Sequence, residues 1–86
     1  MLDRTNVDVA DRVALLVRRI LGKRAIVRAV GPDDDLRACG LSSLEIVNLM
    51  LSVETEFAIR IPGREMTPTN FHSIARIATL VSATSR

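Results

Sequence analysis

Tryptophan and tyrosine are absent from this sequence, and phenylalanine occurs only at Phe57 and Phe71. A core with so few rings must be built from Leu, Ile, Val and Met, which suits helix packing better than a sheet sandwich. Cysteine occurs once, at Cys39, so no internal disulfide can form and a secreted, stapled scaffold is excluded. Histidine also occurs once, at His72. One Cys, one His and the run Asp33-Asp34-Asp35 do not make a credible metal set. Serine catalysis lacks support as well, because His72 has no evident acidic orienter nearby in sequence. Charged residues interrupt every apolar run well short of the roughly 20 residues that cross a bilayer. The opening Met-Leu-Asp-Arg is followed by an amphipathic stretch without an apolar h-region, so no signal peptide is expected. These absences lead us to expect a soluble, cytoplasmic protein with no membrane insertion.

What is present fits one small domain spanning residues 1–86. At 48% hydrophobic residues the chain lies well above the disordered range, although its core must be small. The net charge of +2 conceals a three-part distribution. Residues 1–30 hold seven Lys/Arg against three Asp, a balance of +4. Residues 31–63 hold two Arg against six acids, a balance of −4, and residues 64–86 return to +2. A nucleic-acid binder would concentrate positive charge on one reading element, and Arg18, Arg19, Lys23 and Arg24 lack interleaved aromatics. We read them as a solvated basic face and expect no nucleic acid. The acidic middle instead suits a basic protein partner.

Val9, Val13, Leu16, Val17, Ile20 and Leu21 form one apolar stripe at helical spacing. They predict a first helix over about 7–21, capped by Thr5 with Asp8 and stopped at Gly22. A connection of roughly twenty residues follows, long for so small a domain and therefore a candidate for function. Gly31-Pro32 and the three aspartates argue against regular structure in its second half, whereas a helical turn fits Ala25–Val30. Ile26, Val27, Val30 and Leu36 are expected to pin this loop to the core. The second helix runs over 43–57, with Ser42 as N-cap and Glu45 completing a capping box. Ile59 to Pro62 is extended, a short third helix or turn is expected near Arg64–Thr67, and a last helix starts at Phe71 or Ser73 and ends near Ser82.

The second helix carries more apolar surface than one core-facing stripe requires. Ile46, Leu49, Met50, Val53 and Phe57 fall within about 100° of arc and can all face the core. Leu44, Val47 and Leu51 fall on nearly the opposite side, with Glu54 on one flank and Glu45 and Glu56 on the other. An exposed apolar patch rimmed by acids has the makeup of a transient docking surface. It begins beside Ser43 and would position whatever that serine carries.

Gly40-Leu41-Ser42-Ser43-Leu44 resembles the G-x-D-S-L signature of acyl and peptidyl carrier proteins, in which the serine bears 4′-phosphopantetheine. Five residues alone are weak. The spaced residues downstream, Glu54, Phe57, Ile59, Ile61 and Pro62, match the family's E-x-x-F-x-I-x-I-P and make the likeness specific. The resemblance covers nearly the whole chain. It implies an all-α four-helix bundle with a long first loop and a short third helix, and it implies that Ser43 carries the arm. The arm's thiol would hold an acyl or aminoacyl group as a thioester. A phosphodiester at the first helical residue would also sit at the positive end of the helix dipole.

The family's aspartate before the serine is Ser42 here, which keeps a cap but removes a negative charge. Asn48 and Thr55 occupy positions commonly acidic in fatty-acid carriers. Both departures weigh against bulk fatty-acid synthesis. The fragments around Gly40–Ser43, Val47–Phe57 and Phe71–Ile77 look closer to specialised carriers, some of which are loaded with amino acids by stand-alone ligases. Implied partners are a phosphopantetheinyl transferase, an acyl- or aminoacyl-loading ligase, and a downstream acyltransferase or synthase. The protein itself is expected to be a non-catalytic monomer. Partner docking is assigned to Ser42, Leu44, Glu45, Val47, Asn48, Leu51 and Glu54. The competing reading is a carrier-like interaction domain without the arm, docking through Leu44, Val47 and Leu51. Ile59, Ile61, Met66 and Phe71 either line a cavity beside the last helices, a space that can sequester an acyl chain in family members, or close the core. Cys39 reads as a small packing residue.

Overall fold

The computed structural model of the protein describes residues 4–23 and 30–84, with side chains described from Val9 onward. Three α-helices organise it: α1 over Arg4–Leu21, α2 over Ser43–Phe57 and α3 over Ile74–Thr84. Between α2 and α3 lies a single 3₁₀ turn, Gly63–Glu65. No strand occurs among the described residues. The expected fourth, short helix is therefore no more than a 3₁₀ turn. Pro62 and Pro68 bracket it closely, and a residue before proline is biased away from helical backbone.

α1 begins earlier than its apolar stripe suggests. Thr5 lies inside the helix and so does not serve as its N-cap. Its far end stops as expected, with Gly22 at φ +58°, a left-handed conformation that glycine adopts without steric cost. Val9, Val13, Leu16, Val17 and Leu21 are all buried, with Ile20 packed on the edge of the same cluster. Burial of each such side chain contributes about 1.5–3 kcal/mol. α1 packs against both α3 and α2. From its exposed side, Arg12 reaches the last turn of α2. It donates from Nε to Glu56 Oε2 at 2.9 Å and from Nη2 to the Glu56 carbonyl at 2.8 Å, with its guanidinium 4.4 Å from the Phe57 ring centre. Glu56 therefore faces α1 and does not rim the outer stripe of α2.

The described part of the long connection, residues 30–42, contains no α-helix. Ile26, Val27 and the turn expected over Ala25–Val30 lie outside the described residues, apart from Val30, which packs on the core edge. Leu36 is fully buried and anchors the loop. Two backbone bonds then tie this loop to the start of α3. The Leu36 N–H donates to the His72 carbonyl and the Ala75 N–H to the Pro32 carbonyl, each at 2.9 Å. The aspartates build the turn: Asp34 Oδ2 accepts from the Gly31 N–H at 2.8 Å, and Asp35 Oδ1 from the Arg37 N–H at 2.9 Å.

α3 starts at Ile74 because Ser73, 4% exposed, caps it: Ser73 Oγ accepts from the Arg76 N–H at 3.2 Å. Ile74, Ile77, Ala78, Leu80 and Val81 complete the core.

Candidate functional site

The chain approaches α2 through Gly40, whose φ of +113° is a backbone conformation that L-residues rarely adopt. That turn drops Leu41 into the core and leaves Ser42 at the surface. Leu41, just before the cap, and Ile46, four residues after it, are both buried, the positions of a hydrophobic staple. Ser42 Oγ accepts from the Glu45 N–H at 3.1 Å, and Glu45 Oε1 accepts in return from the Ser42 N–H at 2.9 Å. The Ile46 N–H donates to the Ser42 carbonyl at 2.9 Å. Two of the four free amides of the first turn are thereby satisfied, and those of Ser43 and Leu44 are left at the positive end of the helix.

Ser43 is the first residue of α2 and is exposed. The residue therefore stands at the surface where the loop gives way to the helix. Leu44, Val47 and Leu51 are 78%, 47% and 56% exposed, so the second apolar stripe is a true surface patch, and Asn48 is exposed alongside it. Glu45 is half-buried in the capping box. Glu54 turns one carboxylate oxygen inward to accept from the Ile61 N–H at 2.8 Å. This bond explains the spacing of Glu54 and Ile61: the carboxylate fastens the segment after α2 back onto the helix.

A cavity of about 320 Å³ opens beside Ser43, lined by Ile46, Val47, Met50, Pro68 and Phe71 with Asp35, Arg37 and His72. Sequence reasoning did not bring these last three to the serine. His72 does have an acidic neighbour, since its Nε2 lies 3.7 Å from Asp35 Oδ2. The separation exceeds hydrogen-bond length, and no hydrogen bond joins His72 to Ser43 among the described residues. Ile59, Ile61, Met66 and Phe71, read as lining a cavity or closing the core, are divided in the structure. Phe71 lines the hollow at Ser43, whereas Ile59 and Ile61 line a separate, more open one with Leu51, Glu54 and Arg60. Met66 packs on the core edge. Cys39 is a half-buried free thiol. Among the described residues no group of three or more His, Cys, Asp or Glu side chains could hold a metal ion, and no helix is long and apolar enough to cross a membrane.

A serine presented on a capped helix, with an exposed apolar patch beside it, suits a protein that carries a group on a tether for other enzymes to work on. A family model described as a phosphopantetheine attachment site matches residues 11–81. Aminoacyl carrier protein 1 of Bradyrhizobium diazoefficiens is 43% identical over 76 residues, covering 88% of this chain and 84% of that protein. Aminoacyl carrier protein 2 of the same organism is 40% identical over 77 residues, covering 90% and 86%. Among solved structures, a chain in the crystal structure of Bradyrhizobium japonicum glycine:[carrier protein] ligase complexed with its cognate carrier protein and an analogue of glycyl adenylate matches with a TM-score of 0.72. It is 41% identical and covers 87% of this chain and 97% of that one. A chain in the complex of that ligase with glycylated carrier protein matches at 0.69, with 42% identity and coverage of 84% and 97%. The chain belongs to the phosphopantetheine-attachment family, among the acyl and aminoacyl carrier proteins. Its cofactor is 4′-phosphopantetheine, and it serves as a carrier of a tethered acyl or aminoacyl group.

Proposed function

We propose that Ser43 bears the arm, that the group carried is an amino acid, and that a stand-alone aminoacyl ligase loads it. The observation that carries the first part is the exposed Ser43 at the first position of a helix whose cap is supplied by its neighbour Ser42. The residues fit a phosphodiester. Ser43 is exposed, it belongs to the first turn of a helix whose N-terminus favours negative charge, and a cavity opens next to it. The arm supplies a thiol on which an aminoacyl group can be held as a thioester. The chain's own residues present the attachment point and offer the Leu44, Val47 and Leu51 patch to visiting enzymes.

The aminoacyl cargo is supported by the relatives, two of which are named aminoacyl carrier proteins, and by the ligase complexes that contain the similar chains. The less acidic docking face, with Asn48 and Thr55 on α2, agrees with a specialised pathway. The reading includes a transferase that installs the arm, a downstream enzyme that unloads it, and a cytoplasmic setting in which a small monomer meets each in turn.

Co-expression with a broad phosphopantetheinyl transferase followed by intact-mass measurement tests the attachment. Wild type gains one phosphopantetheine mass and Ser43→Ala gains none; an adduct on Ser43→Ala overturns the assignment. The holo protein, its thiol free, is then offered ATP, the glycine ligase and single amino acids. Gain of one amino acid mass supports the cargo class. A protein that accepts only a fatty acyl group from an acyl ligase refutes it.

A further inference from the structure

The cavity beside Ser43 has an apolar floor and a charged rim, and the rim is unlike the rest of the site. Ile46, Val47 and Met50 from α2 form one wall, and Pro68 and Phe71 from the approach to α3 form the other. Asp35 and Arg37 from the long loop and His72 from the approach to α3 complete the lining. The loop is not free to wander, because Leu36 between the two charged residues is fully buried and its N–H is bonded to the His72 carbonyl. Asp35 is oriented from both sides, with Oδ1 on the Arg37 N–H and Oδ2 3.7 Å from His72 Nε2. Backbone and side-chain contacts thus set Asp35 beside His72, and Arg37 joins them in the lining of a cavity that also includes the serine.

The arginine and histidine have a use when Ser43 is esterified. A phosphodiester on its oxygen brings a fixed negative charge to a position where the chain has Ser42 in place of an acid. Arg37 has no acidic side-chain partner among the described ion pairs. Its guanidinium suits a phosphate oxygen, since it stays charged at all relevant pH and donates in a planar fork. The imidazole adds a second ring donor on the same rim. We propose that Arg37 and His72 receive the phosphodiester on Ser43 and hold the first atoms of the arm over the mouth of this cavity. The assignment rests on Ser43 as the attachment point. Asp35 competes for His72, from which it lies 3.7 Å. Among the other residues lining the cavity, α2 contributes no ionisable side chain.

The test follows the phosphorus atom directly. The ³¹P resonance of a phosphodiester reports the donors and charges beside it. The holo protein is prepared with a broad transferase, checked by intact mass, and its spectrum recorded in phosphate-free buffer at one fixed pH. Absence of the adduct counts against Ser43 as the attachment point and is read before any spectrum. With the adduct present, the ³¹P signal should be displaced from its wild-type position in Arg37→Gln and in His72→Gln, and left in place in Leu15→Ala, a residue outside the cavity lining. A signal that keeps its wild-type position in either Arg37→Gln or His72→Gln overturns the proposal, as does an equal displacement in Leu15→Ala.

Discussion

The Glu54 carboxylate accepts a hydrogen bond from the Ile61 backbone N–H at 2.8 Å, joining α2 to the extended segment that follows it. The same stretch carries a second tie, since the Ile59 N–H donates to the Glu54 carbonyl at 3.1 Å. Together they bring Ile61 into the core, where it is buried against the helices. A bond from an ionised acceptor to a half-buried backbone amide contributes about 1.5–3 kcal/mol. Glu54→Ala should therefore unfold at lower urea, with a loss of about 1–2 kcal/mol. Glu54→Gln, whose amide oxygen can still accept, should lose less. Equal losses in both variants would show that charge, not the bond to Ile61, is what matters at this position.

Much of this was legible from local chemistry, and what was not has a common cause. α2 spans Ser43–Phe57 as expected because a capping box marks its start and two apolar periods run through it. The exposure of Leu44, Val47 and Leu51 follows from the same helical arithmetic. The start of α1 is not legible in the same way, because Thr5 and Asp8 imitate a cap, whereas the helix continues back to Arg4. The helix expected after Pro62 contracts to one 3₁₀ turn, held by bonds such as the Asn70 side-chain amide donating to the Glu65 carbonyl at 2.8 Å. Nothing in the spacing of Asp35, Arg37, Ser43 and His72 announces that they share a cavity. Their meeting depends on backbone bonds between segments far apart in sequence, from Leu36 to His72 and from Ala75 to Pro32.

Ser42 and Ser43 are neighbours with different duties, and the difference can be measured. Ser42 Oγ accepts from the Glu45 N–H, so Ser42→Ala removes a cap and should cost about 0.5–2 kcal/mol by thermal or urea unfolding. It should still accept the arm, because Ser43 keeps its place at the start of α2. Ser43→Ala should show the reverse: stability within about 0.5 kcal/mol of wild type, as befits an exposed position, and no adduct. Loss of modification in Ser42→Ala without loss of stability would mean that the transferase reads Ser42 itself.

Ala58 ends α2 in the left-handed region, at φ 53° and ψ 45°, as the only non-glycine residue with positive φ among those described. Its N–H and that of Ile59 close the helix onto the Thr55 and Glu54 carbonyls in a Schellman arrangement. The β-carbon is disfavoured there by roughly 1–2 kcal/mol. Glycine would relieve that strain while giving the unfolded chain more freedom to lose. Ala58 is exposed, so no packing is sacrificed. Ala58→Gly should stabilise the protein by about 0.5–1 kcal/mol, read as a higher urea midpoint at unchanged slope. A destabilised variant would indicate that the methyl group supports the turn in some way other than through φ.

The outer face of α2 offers the sharpest separation of function from fold. Leu44 and Leu51 are 78% and 56% exposed, so truncating either to alanine should change stability by no more than about 0.5 kcal/mol. If a ligase grips this patch, the buried centre of that transient interface will include one of them. Loss of an interface anchor costs at least 1–2 kcal/mol, about tenfold in loading efficiency. Leu51→Glu should be worse, because it places a charge within the apolar contact. Leu15 of α1, 51% exposed on a different helix, is the control, and Leu15→Ala should load as wild type does. Loading that is unaffected by Leu44→Ala and Leu51→Ala but weakened by Leu15→Ala would move the docking surface to α1, since neither set of variants disturbs the core on which both helices rest.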